Sequence, residues 1–492
     1  MTALDEEHSL GGEIVRGQRM LRLRFVLTAF AVGTAALATA AAPRPGPLSS
    51  EPLQDPSRQQ TQLEVSMTDP GYHPRLGIQA FSAPPGDTEL AAAARTIAEV
   101  LWADLDFEKD YYMISLGEGA RIPTAATPQA LAVQQWSQLG ADFVLMGTAR
   151  RSGDTFVLDL RSITVRGREP GSQAFGRQYQ GCTVQNVRAC AHYIADDFHK
   201  ETRGLEGVAQ TRLAFVSNRD RTALTGRPIP NPGVSKEVYI ADYDGANQRR
   251  VTANQKLNIK PRWSPDASSI VYTSWESGFQ DLYVIHPFGR GPRSRPAAGS
   301  DEVHNQLGAW SPDGQWLVYA SSVNGGRHDV WVVRHDGSAR RNLTPNTPNW
   351  DDTSPTWSPD GAKIAFTSSR SGTPQIYMMA ADGTGVQRII SNQHSDAPTW
   401  SPLNYIAFAL GGGPGHDIAI YDTLRNEVRV LTDGFGSNES PSVAPNGRHI
   451  AFTTTRWGRE QIAIVDYPTG RNVRRITEAG ANSFPDWSRR PR

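Results

Sequence analysis

The chain has 492 residues, enough on length alone for two or three cores. Its 50 Lys plus Arg balance 50 Asp plus Glu, so no clustered cationic excess marks it as a nucleic-acid binder. Two cysteines, Cys182 and Cys190, at a spacing that fits no metal site, exclude a cysteine-built zinc scaffold.

At the N-terminus, Arg16, Arg19, Arg22 and Arg24 precede an apolar run from Phe25 to Ala36. Ala38-Thr-Ala40 or Ala40-Ala-Ala42 then offers a small-residue cleavage site, so residues 1–42 are expected to be an export signal. A retained membrane anchor is the rival reading; the alanines and Pro43 favour cleavage. Met20 offers an alternative start, and no cysteine near the cleavage region suggests a lipoprotein. Residues 43–74 read as a Pro-, Ser- and Gln-rich linker plus a short extended piece, Leu63, Glu64, Val65, Ser66, Met67 and Thr68.

Residues 75–205 read as a small α/β domain. Leu76–Phe81 and Tyr111–Ser115 are predicted strands. Thr88 to Leu105 is a predicted helix with Thr88 as its cap, and Leu90, Ala94, Ile97 and Leu101 on its apolar face. A second helix is expected over Gln129–Leu139. Three strands follow, Ala141–Ala149, Thr155–Thr164 and Gln173–Gly181, and a last helix runs from Val184 to Thr202. In an exported chain Cys182 and Cys190 can form one local disulfide or remain two free thiols.

Residues 206–492 repeat. Trp263-Ser-Pro-Asp, Trp310-Ser-Pro-Asp-Gly314, Trp357-Ser-Pro-Asp-Gly361, Trp400-Ser-Pro and Val443-Ala-Pro-Asn-Gly447 recur at 43 to 47 residues, and Trp487-Ser488 closes the series. Each copy leads into a short apolar strand such as Ile364-Ala-Phe-Thr-Ser368, and there are six such strands starting with Leu213. About four strands per period, six times over, describe a six-bladed all-β propeller following the α/β domain. In the repeated phrase Pro presets φ, Asp bonds back to the backbone, Gly takes positive φ, and Trp wedges between blades. The first blade lacks its inner strand and the C-terminus carries a spare one, Phe484–Trp487, so the ring closes by joining the chain ends.

No Gly-x-Ser-x-Gly elbow, His-Glu-x-x-His pair or phosphate-binding Gly-x-x-x-x-Gly-Lys occurs, and Gly411–Gly415 reads as a hairpin turn. No catalytic residue, metal or cofactor is therefore assigned. The loops leading into each Trp share one face of a propeller and ring its channel. They include Lys260-Pro-Arg262, His304–Ala309, Asp351–Thr356, Ser395–Thr399, Asn438–Ser442 and Asn482–Asp486. Their hydroxyl, amide and carboxylate groups suit a protein loop or polar peptide better than an apolar ligand; solvated turns are the plain alternative.

Signal, small α/β domain and six blades in this order resemble the TolB family, the periplasmic propeller component of the Tol–Pal system. The residues that carry the resemblance are Pro74–Phe81, Leu139–Asp142, Thr211–Val216, Asp242–Gln248 and Glu439–Gly447. It implies a non-enzymatic periplasmic adaptor for outer-membrane integrity and constriction at cell division. The propeller mouth would receive a peptidoglycan-associated lipoprotein. The N-terminal segment, here Leu63 to Thr68, would contact a TolA-like inner-membrane protein. Membrane association would then come only through partners, with the chain itself a monomer. His304 and Thr353 match polar lipoprotein-contacting positions and Leu307 replaces a small one, with Asn305, Ser354, Asp396 and Glu439 beside them in the mouth. The rival reading is an exported propeller of the same scaffold that binds a carbohydrate or peptide, as a hydrolase or lyase in the extreme case.

Overall fold

The computed structural model describes residues 50–52 and 71–491 other than 221–234, 290, 324, 346–348 and 392. The expected leader and the Leu63–Thr68 segment lie outside the described residues. None of the described helices is long and apolar enough to cross a membrane.

The α/β domain is a six-stranded sheet of order β1-β6-β5-β4-β2-β3. These are β1 Ser50–Pro52, β2 Arg75–Ile78, β3 Tyr112–Met113, β4 Phe143–Ser152, β5 Thr155–Thr164 and β6 Gln173–Cys182. β2 runs parallel to β3 and β4, whereas β4, β5 and β6 form an antiparallel meander. Helices α1 (Thr88–Glu108), α2 (Leu116–Gly119), α3 (Val133–Gln138) and α4 (Val187–Arg203) accompany it. The 3–4 spacing of Leu90, Ala94, Ile97, Leu101 and Leu105 puts one α1 face into the core, where all five are buried with α4 residues Ile194 and Phe198.

Several helix boundaries differ from expectation: α1 runs on to Glu108, and α4 starts at Val187 and ends at Arg203. The α1 cap is Asp87, whose Oδ1 accepts the Leu90 N–H at 2.9 Å; Thr88 is already helical. The expected Gln129–Leu139 helix splits into a short 3₁₀ turn, Pro128–Ala130, and α3, because Leu131 takes an extended conformation. That break lets Trp136 drop fully into the core. Gly77 and Gly119 make room for its indole: a Cβ on Gly77 would lie 2.5 Å from Trp136 Cζ3. Cys182 and Cys190 are joined, their Cα atoms 5.8 Å apart, tying the end of β6 to the first turn of α4.

Six antiparallel blades follow, each with its innermost strand first. The first blade takes Arg212–Ser217, Glu237–Asp242 and Arg249–Arg250, and its inner strand is the C-terminal Asn482–Trp487, so the ring closes as expected. The inner strands of blades two to six are Asn258–Trp263, Asn305–Trp310, Asp352–Trp357, Ser395–Trp400 and Asn438–Val443.

The repeated phrase works as its chemistry predicts. Ser358 Oγ donates to Asp360 Oδ1 at 2.6 Å, the same oxygen accepts the Ala362 N–H at 3.0 Å, and Gly361 sits at φ 73°. Lys363 N then donates to Ser358 Oγ at 2.9 Å, pinning the next strand. Ala267 in blade two, at φ 56°, and Asn404 in blade five, at φ 59°, occupy the left-handed position that Gly314, Gly361 and Gly447 fill in other copies. Trp263 packs between blades, against Ala214 and Ile240 of the first and Ile270 of its own.

These turns lie on the face opposite the lead-in loops, and the α/β domain packs on that turn face against the first and sixth blades. Phe107 of α1 stacks edge-on against Tyr243, with ring centroids 4.7 Å apart, and lies under the Arg474 guanidinium at 3.8 Å. Trp487 Nε1 donates to Thr211 Oγ1 at 2.7 Å, so the strand that closes the ring also ends at the domain junction.

Candidate partner-binding mouth of the propeller channel

Every inner strand carries the same irregularity. The pairing with the second strand slips within Ile259–Arg262, Gln306–Ala309, Thr353–Thr356, Asp396–Thr399, Glu439–Ser442 and Ser483–Asp486. Within each bulge one non-glycine residue stands in the left-handed region: Lys260, Leu307, Ser354, Ala397, Ser440 and Phe484, at φ between 49° and 57°. β-Bulges re-aim side chains and cost backbone strain, and six at one level are a built feature of the channel. Neighbouring blades brace three of them. Thr273 Oγ1 accepts the Leu307 N–H at 2.9 Å, Thr367 Oγ1 that of Ala397 at 3.3 Å, and Thr453 Oγ1 that of Phe484 at 3.0 Å.

The mouth residues expected from sequence divide by burial. His304, Leu307, Thr353, Ser354 and Asp396 are partly exposed and Glu439 is exposed, all at the lead-in ends of inner strands. His304 is oriented by its own loop, its Nε2 lying 3.2 Å from Asp301 O. Asp396 Oδ1 accepts from Thr367 Oγ1 at 2.8 Å, and Glu439 Oε1 from Ser437 Oγ at 2.6 Å. Asn305 is different, and its assignment to the contact surface is corrected. It is fully buried, and its Nδ2 donates to Ala297 O at 2.5 Å, so it braces the loop from beneath. Asn258, Asp352, Ser395, Asn438 and Asn482 are buried at the equivalent position in the other blades.

Residues passed over by the sequence selection complete the mouth. Lys260 and Phe484 occupy two of the six left-handed positions, with the ammonium 5.4 Å from the ring centroid. Burial in the channel, with the Arg262 charge behind it, brings the Lys260 ammonium down to about 8, against the pull of Asp396, Glu439 and Asp486. The signal was the alignment of the repeats themselves: position by position, these are the residues that never recur. At the other end of the channel a cavity of about 440 Å³ is ringed by Trp263, Trp310, Trp357, Trp400 and Trp487.

Among the described residues, the mouth groups do not form a Ser–His–acid triad. Ser437, His416 and Glu439 come close, but His416 Nδ1 faces both Glu439 Oε1 at 3.3 Å and Ser437 Oγ at 3.5 Å. A triad needs one ring nitrogen for the acid and the other for the nucleophile. Ser437 Oγ donates its hydrogen bond to Glu439 Oε1 at 2.6 Å and not to the imidazole.

A second polar cluster, with no sequence signal beyond scattered charges, sits at the domain interface. Glu108, Asp110 and His199 bring ligand atoms within 4.8 Å of one another, as a metal site would. The Arg448 guanidinium, however, bonds both carboxylates, and His199 Nε2 bonds Asp110 Oδ2 at 2.7 Å. The cation of this cluster is thus an arginine from the sixth blade. Burial alone would raise Glu108, but His449, Arg448 and His199 outweigh it and hold its carboxyl at about 2.

Fold and site together define a class: a six-bladed propeller capped on its turn face by a small α/β domain, with an irregular polar mouth on the other face. Comparison with known proteins narrows this. Residues 199–490 match the TolB beta propeller domain. A Tol-Pal system protein TolB from Actinobacillus succinogenes is 37% identical over 403 residues, covering 80% of this chain and 86% of that protein. Another from Desulfosudis oleivorans is 29% identical over 225 residues, 45% of this chain and 48% of the relative, so that alignment spans about half its length. The crystal structure of TolB from Acinetobacter baumannii superposes with a TM-score of 0.69 at 20% identity, over 90% of this chain and 99% of that one, and bears on the fold. The chain belongs to the TolB family and is a propeller component of the Tol–Pal system.

Proposed function

We propose that the chain is a non-enzymatic, monomeric periplasmic adaptor. Its propeller mouth holds a peptidoglycan-associated lipoprotein, and its N-terminal segment, Leu63 to Thr68, engages a TolA-like inner-membrane protein. Membrane contact is made through these partners, and the role served is outer-membrane integrity and constriction at division. The observation that supports this reading is the ring of six bulges, which presents five kinds of side chain (Lys260, Leu307, Ser354, Ala397, Ser440 and Phe484) at one level of the channel. A mouth lined by unlike side chains on one repeated backbone feature suits recognition of one irregular protein surface.

If both partners bind, coupling between them is reciprocal: the lipoprotein changes affinity for the TolA-like domain by the same factor as the reverse. The test is calorimetric titration of the mature chain with the soluble lipoprotein domain of the same cell, alone and with the TolA-like domain present. Saturable one-to-one binding that His304→Ala and Thr353→Ala weaken supports the reading, and absence of binding by the wild type sinks it.

A further inference from the structure

Lys260 stands out among the six channel positions because its charge is unanswered. Its neighbours in the mouth are satisfied from within: Asp396 by Thr367, Glu439 by Ser437 and His416, and Arg262 by Asp486 at 2.7 Å. A second lysine over the same Phe484 ring, Lys236, has Glu460 Oε2 and Ser483 Oγ, each at 2.8 Å. The Lys260 ammonium donates to no acceptor among the described residues and rests only on the Phe484 face. It is partly exposed, at the level of the six bulges. Its backbone is left-handed at φ 49°, so the strand is bent to hold this side chain where it is.

We propose that Lys260 is a specificity-determining residue of the mouth that receives a side-chain carboxylate, Asp or Glu, from the partner's inserted loop. This rests on the adaptor reading above. The Lys260 ammonium has no acceptor among the described residues to give up, so a carboxylate that reaches it gains a charge-assisted hydrogen bond without displacing an internal partner. The aromatic ring beneath Lys260 fixes the ammonium without competing for its three N–H donors. The surrounding acids, Asp396, Glu439 and Asp486, also keep the site selective, since a partner carrying several carboxylates is repelled while a single one aimed at Lys260 is accepted.

The test titrates the lipoprotein's soluble domain into wild type, Lys260→Met and Lys260→Arg at pH 7 and pH 9. Lys260→Met should weaken binding about tenfold or more at pH 7. Wild type should lose about tenfold between pH 7 and pH 9, as the free lysine deprotonates near pH 8, and Lys260→Arg should not. Asp→Asn and Glu→Gln variants of the lipoprotein domain then identify the acceptor: one of them weakens wild type but not Lys260→Met. Wild-type affinity and pH response in Lys260→Met, or no coupled carboxylate, overturns the assignment of Lys260 and leaves the adaptor reading standing. No binding by the wild type overturns both.

Discussion

Replacing Arg448 by Met removes the cation that sits between Glu108 and Asp110 at the domain interface. Glu108 is 7% exposed and also accepts the Val208 N–H at 2.8 Å, so it cannot turn to solvent when the arginine goes. Breaking a buried ion pair from one side costs about 3 to 5 kcal/mol. The Glu108 carboxyl, held at about 2 rather than 4.5, carries roughly 3 kcal/mol of net interaction that Arg448 shares with His449 and His199. At about 2 to 4 °C per kcal/mol, the α/β transition should fall by about 6 to 12 °C in scanning calorimetry. Arg425→Met, which removes an arginine 74% exposed in its side chain, should leave the melting unchanged. A carboxyl held low in the folded state lends stability above its ordinary value and loses it as pH falls toward 2. The gap between wild type and Arg448→Met should therefore narrow from pH 5 toward pH 3. If Arg448→Met melts with Arg425→Met at pH 7, the interface is not held by this cluster.

His304→Ala with Thr353→Ala should weaken lipoprotein binding by about 1 to 3 kcal/mol without moving the melting temperature. Trp357→Ala should instead cost about 3 kcal/mol of propeller stability, measured by urea denaturation, because its indole packs into the cluster shared by blades three and four. Replacing both Cys182 and Cys190 by Ser should lower α/β stability by about 2.5 kcal/mol, the loop entropy of a bridge spanning 8 residues.

The propeller was legible because its determinants are local and repeat. Ser-Pro-Asp-Gly encodes its own turn through Ser358, Asp360 and Gly361, and the strand after it is apolar wherever the copy falls. The α/β elements were legible for the same reason, from the 3–4 spacing of Leu90 to Leu105. What failed depended on contacts made far along the chain. α3 starts late because Trp136 must reach Gly77 and Gly119, which no window of local sequence contains. Asn305 looked like a polar loop residue, yet its partners Ala297 and Asp281 bury it. Glu108, Asp110 and Arg448 read as ordinary solvated charges, since two domains have to dock before they meet.

The same interface should respond to pH in two opposite senses. Burial, with the Glu108 charge nearby, raises the Asp196 carboxyl from 3.8 to about 6, even though Arg490, Ala209 and Gln210 bond it. An acid raised in the folded state lends stability fully below about pH 4 and loses it as pH climbs through 6. His192 adds to that limb. Burial opposes its charge, but Asp104, 2.8 Å from Nδ1, more than offsets this and raises its imidazole, so its contribution is present below pH 6.5 and fades above. Glu108 and Asp110 act the other way, losing stability only in stronger acid. Domain docking should therefore be tightest near pH 4 to 5 and loosen by up to roughly 3 kcal/mol toward neutral pH. Calorimetry from pH 3 to pH 8 checks this. Asp196→Asn should flatten the slope between pH 4 and 6, and His192→Gln the slope above 6.5, whatever either does to the absolute melting temperature. An unchanged slope in Asp196→Asn would show that this carboxyl is already charged in the folded protein at low pH. Asp196 would then be a well-satisfied ion of the interface and not its pH-responsive element.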